Sequence, residues 1–366
     1  MQELTPLKEI SYVTKTQKQN LGKLNITDWF YNYEQTELLN YDEIYYFSDL
    51  HTKMERLEDY TLKTFRYNPI VDDHIHYRFQ IISKLGKGSF GDVLLCKDHK
   101  RHYDVALKII KSEDRYYESY LNEIEFLKIL MNDNEYIVSA LKYFKFRNHP
   151  CIVFEKLDIN LFTFLKDRQF KPLELNMTRN IMRQVLLGLS VLKKHNIIHG
   201  DLKPENVLFT DDTYTKIKIV DFGSSIFHKI GKYQTYIQTR WYRSPEVILG
   251  YPIDFNIDIW SVGCMLYELH TGKVLFNGKN IDQQISKFYS YIDRVPEKEF
   301  IVCCRKNSYF SFVGENIHYH NFKGRLCNNY MCHDEVTNIL KNIIVWEPYN
   351  RLNVDNLLKL QWFNEF

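Results

Sequence analysis

The residues whose types and spacing could do chemistry are His199-Gly200-Asp201-Leu202-Lys203-Pro204-Glu205-Asn206, followed twenty residues after Asp201 by Asp221-Phe222-Gly223. Together they offer a proton acceptor for an attacking hydroxyl, a cation for a transferring phosphate, and oxygen ligands for Mg²⁺, which is the set phosphoryl transfer requires. A second group is Gly86-Lys87-Gly88-Ser89-Phe90-Gly91-Asp92-Val93. Its glycines allow positive φ and close backbone approach, as a loop covering phosphates needs. Alone that signal is weak, because a glycine-rich hairpin without a ligand reads equally well. Val93 to Cys96 continue as strand rather than helix, so a nucleotide-covering hairpin is favoured over dinucleotide binding. The third group is Val105-Ala106-Leu107-Lys108, a lysine in an apolar strand. It either snorkels to water or takes a carboxylate, Glu123 or Glu125, between which spacing does not decide. The three groups in this order are not a chance arrangement.

The elements that must position these groups follow from apolar periodicity. Residues 1–70 are polar and aromatic and read as an extension with short helices over Asn25–Leu39 and Tyr46–Leu62. Strands are expected at Phe79–Leu85, Asp92–Cys96, Asp104–Ile110, Tyr136–Phe144 and Cys151–Glu155, with one helix packed through Tyr117, Leu121, Ile124, Leu127 and Met131. Beyond Leu157 the chain becomes helical: Met177, Ile181, Val185, Leu189 and Leu192 mark one face of a long helix. Short strands follow at Val207–Phe209 and Ile217–Val220, and Ile257–His270 is apolar nearly all round, hence buried. Residues 277–334 lack clear periodicity and read as an insertion before closing helices at Glu335–Val345 and Val354–Trp362.

Length and composition fit this reading: 366 residues, 45% hydrophobic and 26% charged, make a folding chain of two or three structural units. A formal net charge of +2 gives no global field toward nucleic acid or an anionic membrane. Lys97–His102 is read as a solvated turn rather than a basic patch. The longest apolar stretch, Val185–Leu192, falls short of the ~20 residues of a membrane span. No secretion signal is visible, so a cytoplasmic or nuclear protein is expected. Seven scattered cysteines suit reduced thiols better than a disulfide framework. Cys303-Cys304 and Cys327-x4-Cys332-His333 could ligate Zn²⁺ in principle, but their spacing is unlike that of structural zinc sites, and packed thiols are the preferred reading. The excess of 27 Tyr and 24 Phe is taken as compositional.

With these motifs, and with Ser244-Pro245-Glu246, Asp258-Ile259-Trp260-Ser261-Val262-Gly263 and Arg351, the chain resembles the eukaryotic protein kinases over roughly residues 78–366. The resemblance implies an α+β bilobal fold: a small five-stranded β lobe with one helix (79–155) and a larger mainly helical lobe (156–366), with ATP and Mg²⁺ in the cleft between them. It implies that Leu85, Gly86, Lys87, Gly88, Ser89, Phe90 and Gly91 cover the nucleotide, and that Val93, Ala106 and Leu208 sandwich the adenine. Phe154 would be the gatekeeper, with Glu155 and Leu157 the hinge contacts. Lys108 would hold the α and β phosphates and pair with Glu123. Asp201 would accept the hydroxyl proton, Lys203 would neutralise the γ-phosphate, and Asn206 and Asp221 would bind Mg²⁺. Glu246 and Arg351 would form a buried ion pair.

The run from Tyr236-Ile237-Gln238-Thr239-Arg240-Trp241-Tyr242-Arg243 to Gly250 resembles the activation segment of the dual-specificity tyrosine-regulated (DYRK) kinases of the CMGC group. Ser224-Ser225 and Phe154-Glu155 before Asn160-Leu161 agree. Residues 71–78, including Asp72-Asp73-His74-Ile75-His76-Tyr77, resemble the family box, and Glu37–Phe47 the accessory region of class II members. The resemblance implies autophosphorylation of Tyr236, with Arg240 and Arg243 as partners of the phosphate, followed by phosphorylation of Ser/Thr on proteins. It implies substrates with Pro after the acceptor and often an Arg upstream, with Arg243 shaping the +1 pocket. A monomer is expected, with no nucleic-acid or membrane partner. Two departures stand out. Gly200 replaces the usual Arg, or the family's Cys, and Gln234-Thr235-Tyr236 lacks the first tyrosine of the family pair, Tyr233 being one place out of register. A pseudokinase scaffold is the rival reading, opposed by intact Lys108, Glu123, Asp201, Asn206 and Asp221. A small-molecule kinase is opposed by the complete activation segment.

Overall fold

The computed structural model describes residues 29–133, 135–231, 237–292, 294–306, 308–313, 316–319 and 334–365. The chain divides into two compact units, residues 1–124 with 139–156 and residues 125–138 with 157–366.

The first unit holds α1 (Asn32–Leu38), β1 (His74–Ile75), β2 (Phe79–Lys87), β3 (Gly91–Asp98), β4 (Tyr103–Ile110), β5 (Ala140–Phe146) and β6 (His149–Glu155), while α2 (Tyr117–Ile129) runs from it into the second. The strands make an antiparallel sheet in the order β1-β2-β3-β4-β6-β5, six rather than the five expected. The additional β1 has two residues, too few to show alternation. Tyr136–Val138, expected at the start of β5, instead bonds to Ile219 in the second unit. In α2 the buried face is Tyr120, Glu123, Ile124, Phe126 and Leu127, whereas Tyr117 and Leu121 are exposed, as is Met131 just beyond its end. The helix is turned so that Glu123 reaches Lys108, which the apolar series alone did not register.

The expected helix over Tyr46–Leu62 is only two 3₁₀ turns, Leu50–Thr52 and Leu57–Tyr60. Tertiary hydrogen bonds override helix propensity here, since the Ser48 and Tyr60 hydroxyls both donate to the buried carboxylate of Asp73, at 2.5 and 2.6 Å. The described part of the extension shares one apolar core with the sheet: Phe30, Leu38, Ile44, Tyr60 and Tyr67 pack with Phe79, Leu94, Val105 and Val153.

The second unit comprises α3 (Leu161–Asp167), α4 (Leu175–Lys194), β7 (Ile197–Ile198), β8 (Val207–Phe209), β9 (Ile217–Ile219), β10 (Ile226–Phe227), α5 (Pro245–Leu249), α6 (Asn256–Thr271), α7 (Ile281–Ile292), α8 (Lys298–Cys303), the hairpin β11 (Phe310–Val313) and β12 (Asn316–Tyr319), α9 (Asp334–Ile343) and α10 (Val354–Leu358). Two-residue β7 and β10 pair with each other, as do β8 and β9. Helix α6 is buried on nearly all sides, and a Cβ at Gly263 would stand 2.7 Å from the Ile343 and Ile344 side chains, so glycine lets the end of α9 approach. The insertion is more ordered than its sequence suggests: α7 buries Gln284, Ile285 and Phe288, with Phe288 packed 4.9 Å from Trp260. A single short apolar stripe is a poor periodic signal, yet one aromatic anchor suffices to dock it. The final helix stops at Leu358 and gives way to a 3₁₀ turn over Gln361–Phe363.

Among the described residues no helix is long and apolar enough to cross a membrane, and no group of three or more His, Cys, Asp and Glu is placed to hold a metal ion. Cys303 is exposed and Cys304 buried, its thiol pushed up to about 12 by burial; Cys327, Cys332 and His333 lie outside the described residues.

Candidate active site

In the first unit the glycine-rich segment is the tip of the β2–β3 hairpin, where the Gly88 N–H donates to the Gly91 carbonyl at 2.9 Å. Gly91 is required by space, because a Cβ there would lie 2.1 Å from the Ile109 carbonyl oxygen of β4; Gly86 has open space around it. Strand register sets Lys108 opposite Val93 and Ala106 opposite Phe154. The Lys108 ammonium donates to both carboxylate oxygens of Glu123 at 2.8 Å. Glu123 is buried and Glu125 exposed, which decides the choice that spacing left open. Leu85 is half exposed and Phe154 buried. Glu155 is fastened to Ser139 twice, its N–H donating to the Ser139 carbonyl and its carboxylate accepting the Ser139 N–H at 2.7 Å.

In the second unit the catalytic-loop candidates converge on one carboxylate. Asp201 Oδ1 accepts from the Thr239 N–H at 2.9 Å and the Thr239 hydroxyl at 2.7 Å, while Oδ2 accepts from the Lys203 ammonium at 2.6 Å. The Asn206 amide donates to the Asp201 carbonyl at 2.8 Å, which turns its side-chain oxygen the other way. Asp221 sits at φ 65, in the left-handed region that Asp tolerates better than most residues with a Cβ.

What holds the loop is Asp258, an acid inside apolar α6, whose two oxygens accept the N–H groups of His199 and Gly200 at 2.7 and 2.9 Å. Burial pushes its carboxyl up, opposed by the nearby His199 and the two N–H donors. His199 Nδ1 accepts the Asp201 N–H, so Nε2 carries the proton and donates to the Val220 carbonyl at 3.0 Å, linking the loop to the Asp221 turn. Gly200 has φ +73, and a Cβ there would stand 2.5 Å from the Ile237 side chain, so glycine suits this position where Arg or Cys was expected.

The activation-segment residues are placed in part. Tyr236 and Tyr233 lie outside the described residues. Arg240 donates to the Lys279 carbonyl at 2.6 Å, and Arg243 to the carbonyl of Gln238, itself at φ 66, at 3.1 and 2.6 Å. The buried Gln238 amide spans the Ile257 carbonyl, the Ser261 hydroxyl and Ser244. Glu246 and Arg351 form the expected fully buried pair at 2.7 Å. Sequence reasoning assigned no role to Thr239, Asp258, Glu205 or Glu268. Glu268 is buried, accepts from the Tyr242 hydroxyl at 2.6 Å, and is pushed up to about 7 by burial, with the charge of Glu205 adding to the effect. Glu205 Oε2 is buried with no hydrogen-bond partner among the described residues. An acid in the run Ile257–Leu269 was the one available signal for Asp258 and Glu268.

These donor sets fit ATP and Mg²⁺. A restrained lysine suits phosphate oxygens, a glycine at the hairpin tip suits close backbone approach, and an amide oxygen and a carboxylate at Asn206 and Asp221 are the hard ligands Mg²⁺ prefers. Residues 79–363 match the family model described as protein kinase domain. The chain is 35% identical to dual specificity tyrosine-phosphorylation-regulated kinase 4 of Homo sapiens over 100% of its own length and 73% of that protein's. It is 37% identical to the tyrosine-phosphorylation-regulated kinase mbk-2 of Caenorhabditis elegans over 77% of this chain and 36% of that one. It is 34% identical to the DYRK-family kinase pom1 of Schizosaccharomyces pombe over 94% and 33%. The chain thus spans about three quarters of the human relative and about a third of the other two.

Proposed function

Because this chain belongs to the DYRK family of protein kinases, with a kinase domain over residues 79–363, we propose that it transfers phosphate from ATP to Ser and Thr of proteins and to its own Tyr236. The observation that carries this reading is the Asp201 carboxylate, fixed by Thr239 and Lys203 in one orientation. Mg²⁺-ATP supplies, when bound, the phosphoryl group and part of its charge neutralisation. Lys108, kept extended by Glu123, would engage the α and β phosphates. Asn206 and Asp221 would hold the metal. Asp201 would orient the acceptor hydroxyl and take its proton, and Lys203, 2.6 Å from that carboxylate, would stand against the developing charge.

Two features support a preference for Pro after the acceptor and Arg before it. The guanidinium of Arg243 occupies the carbonyl of Gln238, so an acceptor segment would find that acceptor already used, and Pro is the residue that brings no N–H for it. Glu205, one of whose carboxylate oxygens has no hydrogen-bond partner among the described residues, and Glu268, which feels its charge, suit an incoming guanidinium. Tyr236, once phosphorylated, would draw on Arg240 and Arg243, which lie four and seven residues on in the same segment.

Expression in bacteria with phosphosite mapping tests the reading. Wild type is expected to carry phosphotyrosine at Tyr236 and to phosphorylate a Ser-Pro peptide, while Asp201→Asn does neither. A mutant carrying as much phosphate as wild type, or an unmodified Tyr236 in wild type, overturns the maturation step. A wild type inert toward the peptide leaves the scaffold reading standing.

A further inference from the structure

The glycine-rich hairpin is tied to a residue far outside the kinase motifs. Arg66, in the extension, donates from Nη1 to the Gly91 carbonyl at 3.0 Å and to Asp92 Oδ1 at 2.8 Å, and from Nη2 to the Gly88 carbonyl at 2.5 Å. The side chain of Asp92 is 4% exposed, and its other oxygen pairs with Lys84 at 2.8 Å. The neighbouring backbone reinforces the arrangement: Ser112 N–H donates to the Phe65 carbonyl and Lys111 N–H to the Phe90 carbonyl, both at 3.0 Å. Phe65 itself takes φ 59, an uncommon conformation for a residue with a Cβ, just where the chain delivers Arg66 to the hairpin.

We propose that Arg66 is a positioning residue for nucleotide binding, clamping the carbonyls of Gly88 and Gly91 so that the tip of the β2–β3 hairpin presents its amides to the phosphates. The reason is peptide geometry. In a trans peptide the C=O of one residue and the N–H of the next point in opposite directions, so drawing the Gly88 carbonyl onto Arg66 aims the Ser89 N–H away from Arg66. A free glycine-rich tip samples many peptide orientations and must lose that freedom when phosphate binds, whereas a clamped one has lost it already. The guanidinium is suited to this because its planar fork reaches two carbonyls and a carboxylate at once; an ammonium on a flexible stem cannot hold the same three acceptors in one plane. The extension would thereby act on the nucleotide step without itself touching the nucleotide. This inference rests on the nucleotide-binding reading of the hairpin given above.

The test compares wild type, Arg66→Met and Arg66→Lys in the full chain. ATP-Mg²⁺ affinity is read by nucleotide-induced thermal shift, and KM for ATP and kcat by peptide phosphorylation. Losing charge-assisted bonds should weaken ATP affinity and raise its KM by about tenfold in Arg66→Met, with kcat at saturating ATP within about twofold and an intermediate value for Arg66→Lys. Asp92→Asn, which keeps Arg66 but weakens its anchor, should move KM in the same direction by less. An unchanged ATP affinity in Arg66→Met overturns the proposal. So does a fall in kcat with KM for ATP unmoved, since a merely structural role would lower the active fraction without moving KM; should Arg66→Met not fold, an unmoved KM in both Arg66→Lys and Asp92→Asn overturns it equally. A wild type that binds ATP without turning over would refute the kinase reading and leave this comparison of affinities intact.

Discussion

Two charged clusters use the same chemistry to different ends. In the first unit, Glu34, Lys53, Asp73, His74 and Arg147 all have fully buried side chains, and the partners they meet are protein groups: Lys53 to Glu34 at 3.1 Å, Arg147 to Glu37 at 3.1 Å, His74 to Asp73 at 3.1 Å. Arg147 also lies 4.0 Å from the Tyr60 ring. In the second unit, Asp201 and Lys203 are equally close to one another at 2.6 Å, yet their side chains stay 16% and 18% exposed. A sealed cluster has spent its hydrogen bonds on structure, and removing one member strands a buried charge. An open cluster keeps its members near an entry route, so the same bonds orient groups for a substrate. Lys108 and Glu123, 13% and 3% exposed, stand between these cases: the carboxylate is sealed and the ammonium it holds is not.

The comparison predicts that activity and stability separate. Asp201→Asn should lower kcat for peptide phosphorylation by about three decades while leaving the denaturation midpoint close to wild type. A loss of only one or two decades would remove Asp201 from the role of base, and a large fall in midpoint would place it among the sealed groups. Arg147→Met should do the reverse, costing about 3–5 kcal/mol of unfolding free energy in chemical denaturation because Glu34 stays buried without it and the partly buried Glu37 loses its partner. Retained stability in that variant would break the comparison from the other side.

Glu268 gives a smaller and more discriminating effect. Its carboxyl titrates at about 7 when folded and near 4.5 when free, so between these values the folded chain holds a proton that the unfolded chain has released. Its contribution to stability therefore declines as pH rises through that window, and Glu268→Gln should be more stable than wild type at pH 8 by on the order of 2 kcal/mol, with the difference fading toward pH 5. If Glu268 receives a substrate guanidinium, the KM of an Arg-bearing peptide should fall several-fold from pH 6 to pH 8 in wild type and stay level in Glu268→Gln. A flat wild-type profile would sink the Arg subsite without touching the stability result.

The motifs that carry chemistry are legible because their members are neighbours in sequence. Asp201, Lys203 and Asn206 need only one loop to meet, and the glycines between two β runs define a hairpin by local pattern alone. Helices α4 and α6 are equally plain, since long apolar patterns fix both type and burial. What spacing could not decide was every choice made by packing: Glu123 over Glu125, the rotation of α2, and the replacement of a helix over Tyr46–Leu62 by two turns tied to Asp73. Nor could it show that Arg66 reaches Gly88 22 residues on, that Asp258 holds a loop 59 residues before it, or that Arg147 finds Glu37 110 residues away. Such partners leave no periodic trace, because a single polar atom satisfied across the fold depends on where whole elements pack. The sequence by itself determined the chemistry and the family of this protein, through local patterns that fold geometry must respect. The tertiary structure alone decided which charges are sealed, which are open, and which residue steadies the hairpin, because burial is a property of the assembled chain.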